Sequence, residues 1–245
     1  MVSWQELNAR LEDFFHFSKQ ELIGLALAAI VTGFIFSFKD WGEQELDVVL
    51  GFRNLILATT IATISLFFRF SCQKIYGLSQ GYKAEFKVWW LGLFIALILA
   101  FLTAGKLPVI LAGTMAVSFM VKQRLGEFRY GFSYWENAMI SYWGVLGNLI
   151  LGLLSGIGSY FFPQNYFFTK GMIFNIIMAF TSLLPLPQLD GLAIFFGGRI
   201  LYIMAIVLTM VAAILIITQT AVGLIIAATI GLLYALFYIV ISSEK

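Results

Sequence analysis

Long apolar runs dominate this sequence and limit what the chain can fold into. A run of about 18 or more apolar residues is long enough to cross a bilayer as a helix. With 61% hydrophobic and 11% charged residues, the chain has more apolar surface than a water-soluble domain could bury. The sequence therefore predicts an all-α polytopic protein of the cell membrane with about six to eight transmembrane helices. They are expected at 22–38, 50–68, 88–104, 138–161, 169–184, 200–218 and 221–240.

Two further segments complete the predicted organisation. The apolar piece at 108–120 is interrupted by Gly113, and we expect it to be re-entrant or an eighth span. Residues 1–20 are predicted to form an amphipathic segment at the membrane interface, since Trp4, Leu7 and Phe14 recur near helical spacing. Residues 21–245 show no linker, low-complexity tract or convincing repeat, so they are expected to form a single membrane domain.

The distribution of charge predicts the orientation of the chain. The loop after the first run, KDWGEQELD, carries one lysine and four acids, whereas the segments 69–87 and 122–129 are basic. By the positive-inside rule, the basic segments and the N-terminus face the cytoplasm. The net charge of +2 is too small to suggest a nucleic-acid partner.

The stretch TSLLPLPQLDGLAIFF breaks the apolar pattern. Pro185 and Pro187 lack an amide donor and disfavour helix in the preceding residue, so 184–189 is expected to be extended. An acid such as Asp190 near the bilayer centre costs very roughly 2.5–3.5 kcal/mol and marks a candidate functional site. Alternatively, this stretch is a loop at the cytoplasmic interface, where Asp190 only caps a helix that begins at Gly191.

Two other segments have unusual patterns. Gly144, Asn148 and two later glycines recur every four residues, which lets another helix approach closely while the asparagine amide bonds across the contact. In GYKAEFKVWW, Lys83 and Glu85 alternate with apolar residues such as Phe86. This period of two predicts a short interfacial strand at 82–88, whose edge could accept another extended segment.

Together these segments resemble the site-2 protease family of intramembrane zinc metalloproteases, in particular its archaeal and bacterial members. That family carries HExxH on one membrane helix and NxxPxPxLDG on a later span, where the aspartate is the third zinc ligand. ENAMISYWGVLGN is similar to the family's small-residue helix that ends in asparagine, and KIYGLSQGYKAEFKVWW resembles the strand after the HExxH helix. The resemblance implies a core at about 50–200. SLLPLPQLDG matches the later motif at Pro185, Pro187, Leu189, Asp190 and Gly191.

The resemblance fails at the catalytic helix. The HExxH position falls on RFSCQ, so Arg69 and Gln73 replace the two histidine ligands and Phe70 replaces the glutamate base. Ser182 stands where the family has asparagine. Without two imidazoles and a carboxylate base, the family's hydrolytic chemistry cannot proceed, and we expect no catalytic residue, metal or cofactor. The only histidine, His16, is expected at the surface or the interface.

Asp190 requires a new partner if no metal is bound. Arg69 occupies the position of the first zinc ligand, and its guanidinium could neutralise Asp190 directly. The alternative is that Arg69 extends toward the lipid headgroups from the end of its helix.

The leading interpretation is an inactive site-2-protease-like protein that binds or scaffolds another membrane protein or is a subunit of a membrane complex. A transporter or channel built around Asp190 is the alternative. An active protease that uses Ser71, Cys72 or Ser182 is less favoured, since no base accompanies them. The candidate groove or partner contacts are Lys83, Glu85, Phe86, Asn148, Ser182, Pro185, Pro187 and Asp190.

Overall fold

The structure is a computed structural model that describes residues 4–42, 46–120 and 133–243, with side chains described up to residue 233. Most of the described chain is helical, as the sequence predicts. The helices are α1 (Trp4–Phe14), α2 (Lys19–Ser37), α3 (Val48–Ser79), α4 (Trp90–Leu102), α5 (Tyr134–Phe161), α6 (Tyr166–Ser182), α7 (Asp190–Gly197), α8 (Arg199–Ile217) and α9 (Ala221–Ser243). The strands are β1 (Tyr82–Val88) and β2 (Gly113–Phe119).

Polar side chains fix where the apolar helices begin. At the start of α2, the Glu21 amide donates to Ser18 Oγ at 3.2 Å and the Ser18 amide donates to Glu21 Oε2 at 2.8 Å, which is a capping box. Side-chain oxygens of Asp47, Ser133 and Asn165 accept backbone amides at the starts of α3, α5 and α6. These bonds satisfy amides that have no partner within their own helix.

Within the part of the chain that the structure describes, four helices are long and apolar enough to cross a membrane, namely α2, α3, α5 and α8. This supports a helical membrane protein. The predicted spans 88–104 and 169–184 coincide with α4 and α6, which have 13 and 17 residues. Both are shorter than the roughly 18 residues expected of a span. The predicted span 221–240 coincides with α9, of which Ala221–Leu233 is the apolar part with described side chains.

The eighth span considered for 108–120 is wrong, because this segment contains strand β2 rather than a helix, while its re-entrant course stays a prediction. It pairs antiparallel with β1 from Tyr82 opposite Phe119 to Val88 opposite Gly113. Gly113 has a φ of 134°, and a Cβ there would lie 2.1 Å from the Lys87 carbonyl oxygen. Only glycine can therefore begin β2 in this conformation. The strand predicted at 82–88 is confirmed by β1.

Helix α3 is the centre of the fold and continues well past the span predicted at 50–68. Its 32 residues pack against α2, α5, α6 and the sheet. Glycines of α5 allow the close approach of α3: a Cβ at Gly144 would lie 2.4 Å from Gln73 Nε2, and one at Gly147 would lie 3.2 Å from Cys72 Sγ. The polar residues 69–74 therefore belong to a helix packed inside the protein.

The amphipathic helix predicted within residues 1–20 is present as α1. Arg10 donates to the Leu78 carbonyl oxygen at 3.0 Å, and Lys83 lies 4.2 Å from the centre of the Phe14 ring. These contacts hold α1 against the end of α3 and the start of the sheet. Its place at a membrane interface stays a prediction. The basic segment 122–129, used to predict orientation, lies outside the described residues.

Candidate functional site around Asp190

The proline-containing segment ends α6 and leads into α7 through turns. The Leu186 amide donates to the Leu184 carbonyl at 2.8 Å, and the Leu189 amide donates to the Leu186 carbonyl at 3.2 Å. Gln188 adopts a left-handed φ of 62°. The extended conformation predicted for 184–189 is therefore wrong. The prolines end the helix, but the amides between and after them still make local turn bonds.

Gly191 fixes the start of α7 against the end of α6. A Cβ at this position would lie 2.2 Å from the Leu183 carbonyl oxygen and 2.5 Å from that of Leu184. Any side chain would therefore push α7 away from the turn. This close packing holds the preceding residue, Asp190, at 0% exposure.

The Asp190 carboxylate receives hydrogen bonds from two helical positions and one strand. Arg69 Nη2 and Gln73 Nε2 both donate to its Oδ2 atom, the latter at 2.8 Å. Thr114 Oγ1 donates to Oδ1 at 2.5 Å. The contact hypothesised between Arg69 and Asp190 is thus present, with the arginine side chain 1% exposed.

The capping role considered for Asp190 and the lipid-facing course considered for Arg69 both disagree with the geometry, whereas the position of the loop relative to the membrane interface stays a prediction. Leu189, not Asp190, is the N-cap of α7, and no side chain caps it. Arg69 turns inward, since its Nη1 also donates to the Gly144 carbonyl at 3.4 Å. An ion pair in such a dry site is strong only if the remaining donors and acceptors are also satisfied. Gln73 and Thr114 each donate a further bond to the carboxylate, and the Gly144 carbonyl accepts a second N–H of Arg69.

The segment RFSCQ also contains Phe70, which the resemblance places at the position of the glutamate base. Phe70 packs against Phe86 of β1, with ring centres 4.2 Å apart, and so faces the sheet. Among the residues with described side chains, no group of three His, Cys, Asp or Glu residues is close enough to hold a metal ion. His16 is exposed, and its carbonyl oxygen accepts from Lys74 at 2.9 Å.

The side-chain amide of Asn148 is buried without a hydrogen-bond partner among the described residues. It is 0% exposed, and neither of its amide atoms has a hydrogen-bond partner among the described residues. Ser71 Oγ and Gln73 Oε1 are also unpartnered. A buried polar group without a partner costs about 1–3 kcal/mol. The partner that the sequence suggested for Asn148 across the α3–α5 contact is not among these residues.

The other candidate partner contacts divide into buried and accessible groups. Phe86 and Ser182 are buried, and Ser182 Oγ bonds to the Ala179 carbonyl of its own helix at 2.9 Å. Pro185, Pro187 and Glu85 are exposed, while Lys83 is half-buried beside α1. A partner could therefore reach the proline turn and the polar face of the sheet but not Phe86 or Ser182.

One edge of the sheet is closed by Glu21. Its Oε1 atom accepts the Phe86 amide at 2.8 Å and lies 2.9 Å from Lys74 Nζ. Since hydrogen-bonded pairs alternate along an antiparallel ladder, the Phe86 amide points away from β2. A carboxylate from α2 thus occupies the place where another strand would bond to β1. The sequence alone gave no sign of this contact.

The other edge of the sheet is the side of β2 that faces away from β1. The Trp89 amide donates to the Ala112 carbonyl at one end of the ladder, and the Met120 amide donates to the Gly81 carbonyl at the other end. These two bonds show which residue pairs of the ladder are hydrogen-bonded and which are not. By that alternation, the amides and carbonyls of Met115 and Val117 point away from β1. These groups have no hydrogen-bond partner among the residues that the structure describes. The accessible edge predicted on β1 is blocked at Phe86 by Glu21, and the edge without a partner among the described residues belongs to β2.

A tyrosine connects the sheet to α5. Tyr82 at the start of β1 donates its hydroxyl to the Glu136 carboxylate in the first turn of α5. Burial, and then the contact with Glu136, raise the pKa of Tyr82. The hydroxyl therefore stays protonated and remains a donor over the physiological pH range. This bond ties the start of β1 to the first turn of α5.

The chain was compared with known protein families, curated proteins and solved structures. No protein-family model, curated protein or solved structure matched the chain.

Proposed function

We propose that this protein is an inactive member of the site-2 protease family that binds or scaffolds another membrane protein. The observation that carries the proposal is the bonding of Asp190. In the family this aspartate holds zinc, whereas here a guanidinium and an amide from one helical face of α3 bond to it. Because all its charge is compensated by side chains, the site has no need of a metal and offers it no free carboxylate oxygen.

The open edge of β2 is the proposed contact with the partner. Its outward amides and carbonyls can bond to an extended segment, as in strand addition. Thr114 of the same strand bonds to Asp190 at 2.5 Å, so a segment added to β2 would lie beside the former catalytic centre. An unwound piece of a membrane segment has the unpaired main-chain groups that such an edge satisfies.

A transporter built around Asp190 has less support. Intramembrane acids in transporters bind a substrate or ion and must be able to release their partners. Asp190 is 0% exposed and has three side-chain donors. The pair is therefore better suited to hold α3, α7 and β2 together than to exchange ligands.

Photocrosslinking at the β2 edge tests the proposal. A photoreactive amino acid at the exposed Ala116 should crosslink, in native membranes, to an apolar segment of another membrane protein. Val117→Pro removes an outward amide without touching the ladder to β1, so we expect it to reduce the crosslink at least several-fold. Val117→Thr keeps that amide and serves as the matched control.

Other results would contradict the proposal. A crosslink that is equally strong in Val117→Pro would rule out strand addition at this edge. Stoichiometric zinc in the purified protein, lost on Asp190→Ala, would rule out an inactive centre. Cleavage of a membrane peptide by the purified protein would do the same.

A further inference from the structure

A second candidate site lies where α3, α5 and α6 meet. One face of each helix lines a cavity of about 200 Å³. None of the residues that line it bonds to Asp190, so it is separate from the site described above. Its lining includes Ile61, Ile64, Leu154, Ser155, Phe167 and Asn175.

The cavity is open to the surroundings of the helix bundle. Ile64 and Leu154 at its rim are 46% and 56% exposed, and both belong to helices long enough to cross a membrane. The cavity therefore opens toward lipid. Its walls are mostly aliphatic and aromatic, and no charged side chain lines it. Such walls favour an uncharged molecule with an apolar body.

Asn175 adds a buried amide to this mostly apolar cavity, which the hydroxyl-bearing residues Ser65 and Ser155 also line. It is 2% exposed, and its Nδ2 atom donates to the Gly171 carbonyl at 2.8 Å. Since a carbonyl can only accept, this bond fixes which end of the amide is nitrogen. The other end, Oδ1, has no hydrogen-bond partner among the described residues. The free atom is therefore an acceptor, and it requires a donor.

We infer that this cavity binds the hydroxyl-bearing end of an uncharged, mostly apolar molecule, with the hydroxyl donating to Asn175 Oδ1. At about 30 Å³ per small molecule such as water, the cavity holds roughly six or seven non-hydrogen atoms. An aliphatic alcohol has the required combination of an apolar body and one donor. The same chemistry is found in a free alcohol and in the end of a hydroxylated lipid chain.

Two isomeric probes test for the donor. 1-Hexanol and butyl ethyl ether contain the same atoms, but only the alcohol can donate a hydrogen bond. In protein reconstituted in detergent micelles, ligand-observed NMR should show that the alcohol binds about three- to tenfold more tightly, the range that one hydrogen bond supplies. Equal binding of the two isomers would overturn the inference.

Single substitutions test whether the probes bind in this cavity. Asn175→Leu should remove the preference for the alcohol, and Ser155→Leu should fill the cavity and weaken the binding of both probes. Thr209→Val is the matched control, since Thr209 is also buried with an unpartnered hydroxyl but lies outside the cavity. It should keep the preference. A preference that survives in Asn175→Leu, or binding of both probes that Ser155→Leu leaves undiminished, would contradict the site.

Mass spectrometry of lipids that copurify from native membranes distinguishes the two sources. A hydroxylated lipid that is retained by the unmodified chain and lost from Asn175→Leu identifies a lipid ligand. Alcohol selectivity without such a lipid identifies a free alcohol. Both outcomes support the site, and neither depends on whether the proposed partner binds at β2.

Discussion

Asp190 receives donors from parts of the chain that are far apart in sequence. Arg69 and Gln73 come from α3 and Thr114 comes from β2, while Asp190 itself begins α7. A buried charge is tolerated when it is paired and when its remaining lone pairs are bonded. Asp190 meets both conditions, since Arg69 pairs with it and each of its carboxylate oxygens accepts a side-chain hydrogen bond.

The ion pair should couple strongly in a double-mutant cycle. Arg69→Met or Asp190→Asn alone should lower the free energy of unfolding by about 3–5 kcal/mol, since each leaves a buried group without its partner. The double variant should lose clearly less than the two costs combined. Unfolding in mixed micelles with increasing denaturing detergent measures all four proteins.

An exposed ion pair provides the matched control. Lys87 and Glu85 are 3.8 Å apart and both are more than half exposed, so Lys87→Met should change stability little. If the buried single variants are as mild as this one, or if their costs simply add, then Arg69 and Asp190 do not act as a stabilising pair.

At the scale of secondary-structure elements, α3 presents two side chains to one carboxylate oxygen. Residues 69 and 73 are one helical turn apart, and both contact Asp190 Oδ2. Two histidines at these positions would converge with Asp190 on a common point, which is the three-ligand pattern of catalytic zinc sites. Whether residues 69, 73 and 190 can hold a metal ion together can therefore be tested by substitution.

The double variant Arg69→His/Gln73→His should gain a zinc site. We expect about one zinc ion per chain by elemental analysis after removal of loosely bound metal, and loss of that zinc when Asp190→Ala is added. Arg69→His alone has one new ligand and should retain much less metal. Zinc that binds the double variant equally well without Asp190 would show that α3 and α7 are not arranged as in the family.

Local patterns predicted some of these elements and failed for others. The alternation of Lys83 and Glu85 with apolar neighbours was enough to predict β1. The apolar segment 108–120 was misjudged because a short apolar run fits a helix or a buried strand equally well. Its pairing with β1 is a contact between distant residues. Thr114 was missed for the same reason, since nothing near it in sequence indicates that it reaches Asp190.

The residues of the candidate site that could be predicted are those at the positions of a recognisable motif. Arg69 and Asp190 were paired from their places in the resemblance to the site-2 protease family, while Gln73 was seen only as a lost ligand. Its amide could not be recognised as a donor without knowing that α3 continues as one helix to Ser79. The closing of β1 by Glu21 depends on tertiary packing, which no local pattern encodes.

At the scale of the whole molecule, the two ends of the bundle should face opposite sides of the membrane. Glu12 of α1 lies near the C-terminal end of α3, while Gln164 precedes α6 near the other end, where Tyr166 and Lys170 bond to Asp40. In a Cys72→Ala background, Glu12→Cys should react with an impermeant maleimide only in inside-out vesicles. Gln164→Cys should react only in right-side-out vesicles.

The control for this topology experiment is full reaction of both cysteines after detergent permeabilisation. Reaction of both from the same side in sealed vesicles would contradict the crossing of α3. The reverse pattern, with Glu12→Cys labelled from outside, would overturn the predicted cytoplasmic N-terminus while leaving the fold intact.

The length of α3 has a consequence for where the ion pair sits. At about 1.5 Å per residue its 32 residues extend about 48 Å, against about 30 Å of hydrocarbon. A tilt of about 50° would be needed to submerge it fully, beyond the 0–40° range of known spans. One end must therefore protrude. If α3 enters the hydrocarbon at its first residue, then Arg69, about 32 Å further along the helix, lies near the opposite limit of the hydrocarbon. Acyl chain length thus sets the depth of the pair: long chains enclose it in hydrocarbon, and short chains leave it level with the headgroups.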